Sequence, residues 1–305
     1  MNMLSRRSFT KLSLIPLLVQ QDQLLADAKK PPVVDTHVHC FAGKDSKDFP
    51  YHKNGSYQPE VPTPPELLLR RMNQAGVDHA IIVHPEPYQD DHRYLEHCLK
   101  VGKKKLKGTC LFFATDNTSV LRMRDLVQRN QNQIVTLRFH AYQKDKLPPF
   151  GKPELRTLWQ TAADLNLGIQ LHFEPQFAAG FTPLIKEFSK TMVIIDHLGR
   201  PFDGNFNDYD LVLKWAQFQN TIVKISSLAD PKLQPERNPQ KVVNELIKRF
   251  TPERLIYGGG FDDKATGDSY RAYLDYTRSL LAKLSEKEQA MILGTNAQRL
   301  FKFES

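Results

Sequence analysis

From residue 33 to the end of the chain, short apolar runs alternate with longer stretches in which apolar positions recur every three or four residues, and no linker or shift of composition interrupts the series. Short runs of this kind read as strands and the longer patterns as helices, which describes repeated strand and helix units around a parallel sheet. Strands are expected near 33–38, 79–84, 108–114, 134–140, 168–174, 192–198, 221–227 and 254–259. Helices are expected between them, among them 64–76, with Pro65 in its first turn and Gly76 at its end, and 238–250. Eight strands close a barrel, and 29–305 is a usual length for one. The fold class is therefore α/β, a single-domain (β/α)8 TIM barrel. A doubly wound open sheet is the competitor, but Gly258, Gly259 and Gly260 follow the last strand and lack G-x-G-x-x-G spacing, which weakens any dinucleotide site.

Charge changes this picture little. The formal net charge is +8, and residues 1–30 hold five basic side chains, Arg6, Arg7, Lys11, Lys29 and Lys30, against Asp22 and Asp27. The dense run KKKLK at 103–107 has no interleaved aromatics and reads as a solvated face, so nucleic acid is not expected as a partner. The opening segment is more informative: SRRSFTKLSLIPLLV sets twin arginines before an apolar run too short to span a bilayer. Residues 1–28 resemble a twin-arginine export signal, with Ala26 and Ala28 as an A-x-A-like cleavage site. The expected location is periplasmic or extracellular, with no stable membrane association once the signal is gone. Cys40, Cys98 and Cys110 are an odd, widely spaced set, which implies neither a disulfide framework nor a structural zinc cluster.

Candidate chemistry gathers at the strand ends. In DTHVH, strict alternation points Asp35, His37 and His39 to one face, and two imidazoles on one strand suit a single zinc-like ion. In IVTLRFH, Arg138 and His140 fall on the face opposite Leu137 and Phe139; a buried guanidinium needs an anion, from the protein or from a substrate. In GIQLHFE, Gln170, His172 and Glu174 share a face. Asp196 and His197 end the sixth strand, Arg200 follows in the loop, Lys224 and Ser226 share a face of the seventh, and His84 and Glu86 follow the second. Such positions lie at the carboxyl-terminal mouth, where barrel enzymes carry their sites. The proline-rich loop 39–63 on that side is long enough to shape one.

The segments VVDTHVH, LRF, LHF, IDHLGRP and RLIYGG…NAQRLF together resemble the amidohydrolase-related family of barrel hydrolases over nearly the whole chain after residue 28. That family includes sugar-acid lactonases and 2-pyrone-4,6-dicarboxylate lactonase, with metal-dependent decarboxylases among its relatives. The resemblance implies one divalent ion, zinc or manganese, on His37, His39 and His172, with His197 as the sixth-strand histidine. One departure stands out: where the family has G-S-D-W-P, this chain has YGGGFDD, which puts Gly260 at the aspartate and leaves Asp262 or Asp263 to act as base. The implied function is metal-dependent hydrolysis of a lactone or related ester of a sugar acid or other carboxylated small molecule. Asp262, Asp263 and His197 would be catalytic, and Arg138, Arg200, Glu174 and His84 would bind an anionic or sugar-like substrate. The alternatives are a non-oxidative decarboxylase and a catalytically weak barrel that binds a sugar or organic acid.

Overall fold

The structure, a computed structural model, describes residues 30–203, 206–228 and 236–304. The chain divides into Met1–Pro31 and Pro32–Ser305, and the export segment expected over 1–28 lies outside the described residues. No helix among the described residues is long and apolar enough to cross a membrane.

Eight strands run in chain order: β1 (Val34–Val38), β2 (His79–Val83), β3 (Leu106–Leu111), β4 (Ile134–Ala141), β5 (Gly168–Phe173), β6 (Val193–Ile195), β7 (Thr221–Ile225) and β8 (Leu255–Tyr257). Each pairs in parallel with the next. β8 returns beside β1, where the Thr36 hydroxyl donates to the Tyr257 carbonyl at 2.6 Å. The result is the expected (β/α)8 barrel. The helices expected at 64–76 and 238–250 occur as Pro65–Ala75 and Pro239–Phe250. Proline suits each first turn because its missing N–H is unpaired there anyway. Gly76 ends the first of them at φ 76, and Leu68, Met72 and Ala75 form its buried stripe.

Alternation along the strands sorts two cores. Outward residues pack on the surrounding helices, as where Phe139 stacks on Trp159 with ring centroids 5.7 Å apart. Inward, the amino-terminal end is apolar: Val34, Ile81, Ile194, Ile222 and Ile256 pack with Ala297, Phe301 and Phe303. Above this plug the interior turns polar. Thr136 donates to Thr109 at 2.7 Å, and Thr109 donates to Gln170 Oε1 at 3.2 Å. Each hydroxyl is thus satisfied without water, as burial requires. The barrel is closed below and chemically equipped above.

β1 departs from strict alternation. Its pairing with β2 shifts register between Asp35 and Val38. Asp35 and His37 therefore part company: Asp35 accepts from the Tyr270 hydroxyl of the helix Gly267–Leu280, whereas His37 meets Lys224 and Asp196 inside the barrel. A bulge of this kind re-aims one side chain beside a site.

Candidate active site

The site is built around Asp196, completely buried just past the end of β6. Its Oδ2 accepts from Arg138 Nη2 at 3.0 Å, Arg138 Nε at 3.2 Å and Gln170 Nε2 at 2.9 Å. Its Oδ1 has no hydrogen bond of good geometry but faces Lys224 Nζ at 3.0 Å and His37 Nδ1 at 3.6 Å. Burial alone would raise this carboxyl, yet Lys224 and Arg138 overcome it and hold Asp196 well below the usual carboxylate range. The buried guanidinium of Arg138 thus has a carboxylate of the protein itself as its anion.

Five imidazoles ring this carboxylate at the mouth. Ring centroids lie 5.0 Å apart for His37 and His39, 4.5 Å for His37 and His197, 5.0 Å for His172 and His197, and 5.4 Å for His140 and His172. Burial, the largest cause in each case, pushes all five below the ordinary histidine range, His39 to about 4 and His197 to about 3. They are neutral near pH 7, the form that ligates metals and accepts protons. His39 Nδ1 donates to the Val83 carbonyl at 2.8 Å, so its lone pair is on Nε2. His197 Nδ1 lies 2.9 Å from the Ser226 hydroxyl and 2.8 Å from that of Ser227. His172 Nδ1 and His140 Nε2 are buried with no partner, and Arg200 Nη1 sits 3.2 Å from His172 Nε2.

The backbone that presents His197 is strained. His197, Leu198, Gly199 and Arg200 have φ of 53°, 58°, 75° and 56°, and only one of the four is glycine. Left-handed conformations cost non-glycine residues energy and persist where surrounding contacts over-determine them. Here the contacts are Ser226 Oγ, which accepts from the His197 N–H at 3.2 Å, and the Tyr209 hydroxyl, which donates to the Leu198 carbonyl at 2.7 Å. This turn also ends β6 three residues before the expected 198.

The bowl so formed has a volume of about 500 Å³, with Tyr57 of the long loop on its lip and Asp262 on its rim. Asp262 is exposed and accepts from the Lys264 N–H at 2.9 Å; Asp263 is exposed and does not line the bowl. Gly260 cannot carry the side chain that the family pattern puts there. A Cβ on it would meet the Tyr270 ring at 2.5 Å and the Tyr257 hydroxyl at 2.7 Å. Asp35 fastens this turn, accepting from the Gly259 and Gly260 N–H groups at 2.8 and 3.1 Å and from the Tyr270 hydroxyl at 2.8 Å.

Of the residues singled out in the sequence, His37, His39, Arg138, His172, His197 and Asp262 line the bowl, and Arg200 borders it beside His172. His84 and Glu174 do not. His84 is buried beneath the turn after β2, with Nε2 at 2.9 Å from the Gln89 carbonyl and its ring on His92; Glu174 accepts from Gln176 at 2.6 Å. Among the described residues, the group of potential ligands within 4.8 Å of one another is His37, Asp196 and His197 rather than His37, His39 and His172. His39 keeps its Nε2 lone pair outside this group, and the His172 ring lies 5.0 Å from that of His197 with Arg200 at its Nε2. Two neutral imidazoles with an ionised carboxylate oxygen that lacks a hydrogen bond suit one divalent ion, although Lys224 contends for the same oxygen. Cys40 is buried in the outer core away from this group.

No curated protein matches the chain. Among solved structures, a probable 2-pyrone-4,6-dicarboxylic acid hydrolase from Acinetobacter baumannii with citric acid bound is 21% identical, at a TM-score of 0.73, covering 89% of this chain and 99% of its own. A Burkholderia multivorans amidohydrolase with bound zinc is 16% identical, at a TM-score of 0.70, covering 90% of this chain and 100% of its own. A 2,6-dihydroxybenzoate decarboxylase in complex with 2,6-dihydroxybenzoate is 13% identical, at 0.58, covering 90% and 99%. At these identities the likeness is one of fold. The amidohydrolase family profile, however, matches residues 34–303, nearly all of the described barrel, and the chain is a member of the amidohydrolase family.

Proposed function

We propose that the bowl binds and hydrolyses a lactone or related ester of a sugar acid or other carboxylated small molecule. The observation that carries this reading is the ring of five neutral imidazoles around an ionised, cation-clamped Asp196, with Arg200 beside the ring. Neutral imidazoles can ligate a metal ion. Arg200, whose Nε donates to Asp203 at 2.8 Å, turns its Nη1 to the ring beside His172 as an anchor for a substrate carboxylate, and a solved structure of the same fold holds citric acid. His37, Asp196 and His197 would hold the divalent ion, zinc or manganese, which when bound lowers the pKa of a water and polarises the ester carbonyl. In this reading Arg138 and Lys224 keep Asp196 ionised, Ser226 and Ser227 fix the His197 ring so that Nε2 faces the bowl, and Asp262 takes the proton of the attacking water.

A second reading has its own observation. Gly260 stands where the family pattern has an aspartate, and the Tyr270 ring fills the space. A barrel that binds an organic acid and returns it unchanged is therefore the competing account. Incubating the protein, with zinc and with manganese, with a panel of carboxylated lactones and following them by NMR separates the possibilities. The ring-opened hydroxy acid is the expected product; loss of carbon dioxide would indicate a decarboxylase, and tight binding without turnover the binding barrel.

A further inference from the structure

Beside the bowl lies a second cavity of about 290 Å³. The two share Glu86, Arg138, His140, Tyr142 and Gln143 in their walls, so they adjoin. The partition is the Tyr142 hydroxyl hydrogen-bonded to the Glu86 carboxylate, with His140 Nδ1 3.9 Å from the same carboxylate. Beyond it the character changes. Leu111, Phe112, Leu147, Pro148 and Pro149 supply an apolar wall, from the end of β3 and the loop after β4, with Gln89, Asp145 and Lys146 at its polar edge. Nothing in a lactone or a carboxylate head needs that surface. An apolar cavity of about 150 Å³ is enough to hold benzene, so this one has room for a ring.

We propose that this annex receives an apolar, ring-sized arm of the substrate, so that the molecule taken by the bowl is an aryl- or alkyl-substituted carboxylate ester or lactone rather than a bare sugar acid. The inference rests on the bowl being a carboxylate site, as above. The carboxylate head stays with Arg200 and the imidazoles, and the arm passes the Tyr142 and Glu86 partition into the annex. Apolar burial of a side chain that size is worth about 10- to 100-fold in affinity.

Three probes test this by isothermal titration calorimetry: succinate, 2-phenylsuccinate and benzyl alcohol, with wild type, Ala114→Trp and Leu147→Trp. Both variants fill the annex from loop positions outside the bowl, and the second guards against misfolding of the first. Wild type is expected to bind 2-phenylsuccinate about 10- to 100-fold more tightly than succinate. The variants are expected to lose that preference and keep succinate binding. Equal binding of the two acids by wild type, or a phenyl preference that survives in both variants, overturns the annex and leaves the bowl reading standing. Binding of benzyl alcohol by wild type alone, with neither acid bound, supports the annex and overturns the carboxylate reading of the bowl.

Discussion

A buried lysine and a buried arginine on one carboxylate set the chemistry of this site at the scale of single residues. Lys224 would contend with a divalent ion for the same Asp196 oxygen, which the ammonium faces at 3.0 Å. Lys224→Met removes that competitor while Arg138 still holds the other oxygen. Zinc affinity, read by competition with a chelating dye, is expected to rise at least about tenfold, since a like charge so close costs more than 1.4 kcal/mol in a partly desolvated site. Unchanged affinity would show that the ion and the ammonium do not meet. His84 gives a pH prediction outside the bowl. Burial depresses it to about 4, so between pH 6.5 and 4 the unfolded chain binds a proton that the folded chain refuses. Stability therefore falls as pH drops through that window, by up to about 3 kcal/mol from this residue. The pH slope of denaturant midpoints should flatten in His84→Gln; an unchanged slope would contradict the assignment. Arg138 and Lys224 were legible as buried charges needing partners because both lie on strands with clear alternation. Their common partner, Asp196, was visible only as the residue before His197, because three different strands have to meet before its role appears.

Elements were the most legible level. All eight strands follow from short apolar runs between turn signals, and the paired helices from their caps and stripes. The errors sit where the backbone leaves ideal geometry. A bulge in β1 lets the Asp35 carboxylate accept from Tyr270, 235 residues away, and from the His37 N–H at 2.9 Å, while the His37 ring faces Asp196. Four consecutive positive φ values cut β6 short and aim His197. Neither follows from periodicity, which assumes regular strands. Likewise the glycine turn after β8 looked free to bend an aspartate back to the place of Gly260, yet Asp35 and Tyr270 fasten it and Asp262 stays on the rim of the bowl. Gly260→Asp is accordingly expected to lower the denaturant midpoint, by about 1 to 3 kcal/mol of overpacking, without raising activity. A gain in turnover would show that the turn can open and that the family's aspartate has been lost only by substitution.

At the scale of the whole molecule, the amino-terminal ends of the strands are plugged by Phe301 and Phe303 while the carboxyl ends carry every group of the site. Stability and chemistry are thus kept at opposite faces, as barrel enzymes keep them. The segment 1–28 belongs to this scale too: we expect it to direct export, and Arg6→Lys with Arg7→Lys to leave the protein in the cytoplasm on fractionation. Export unaffected by that change would contradict a twin-arginine signal. The central claim is that the imidazole ring around Asp196 is where a carboxylated ester or lactone reacts. Its most direct test is kcat/KM for the best lactone of the panel, wild type beside His197→Ala, with the far-face substitution Phe303→Leu as a control for folding. The account predicts a loss of at least about 10²-fold in His197→Ala, which removes a ligand of the ion, and near wild-type turnover in the control. Equal turnover in wild type and His197→Ala, or none in wild type with either metal, would contradict it.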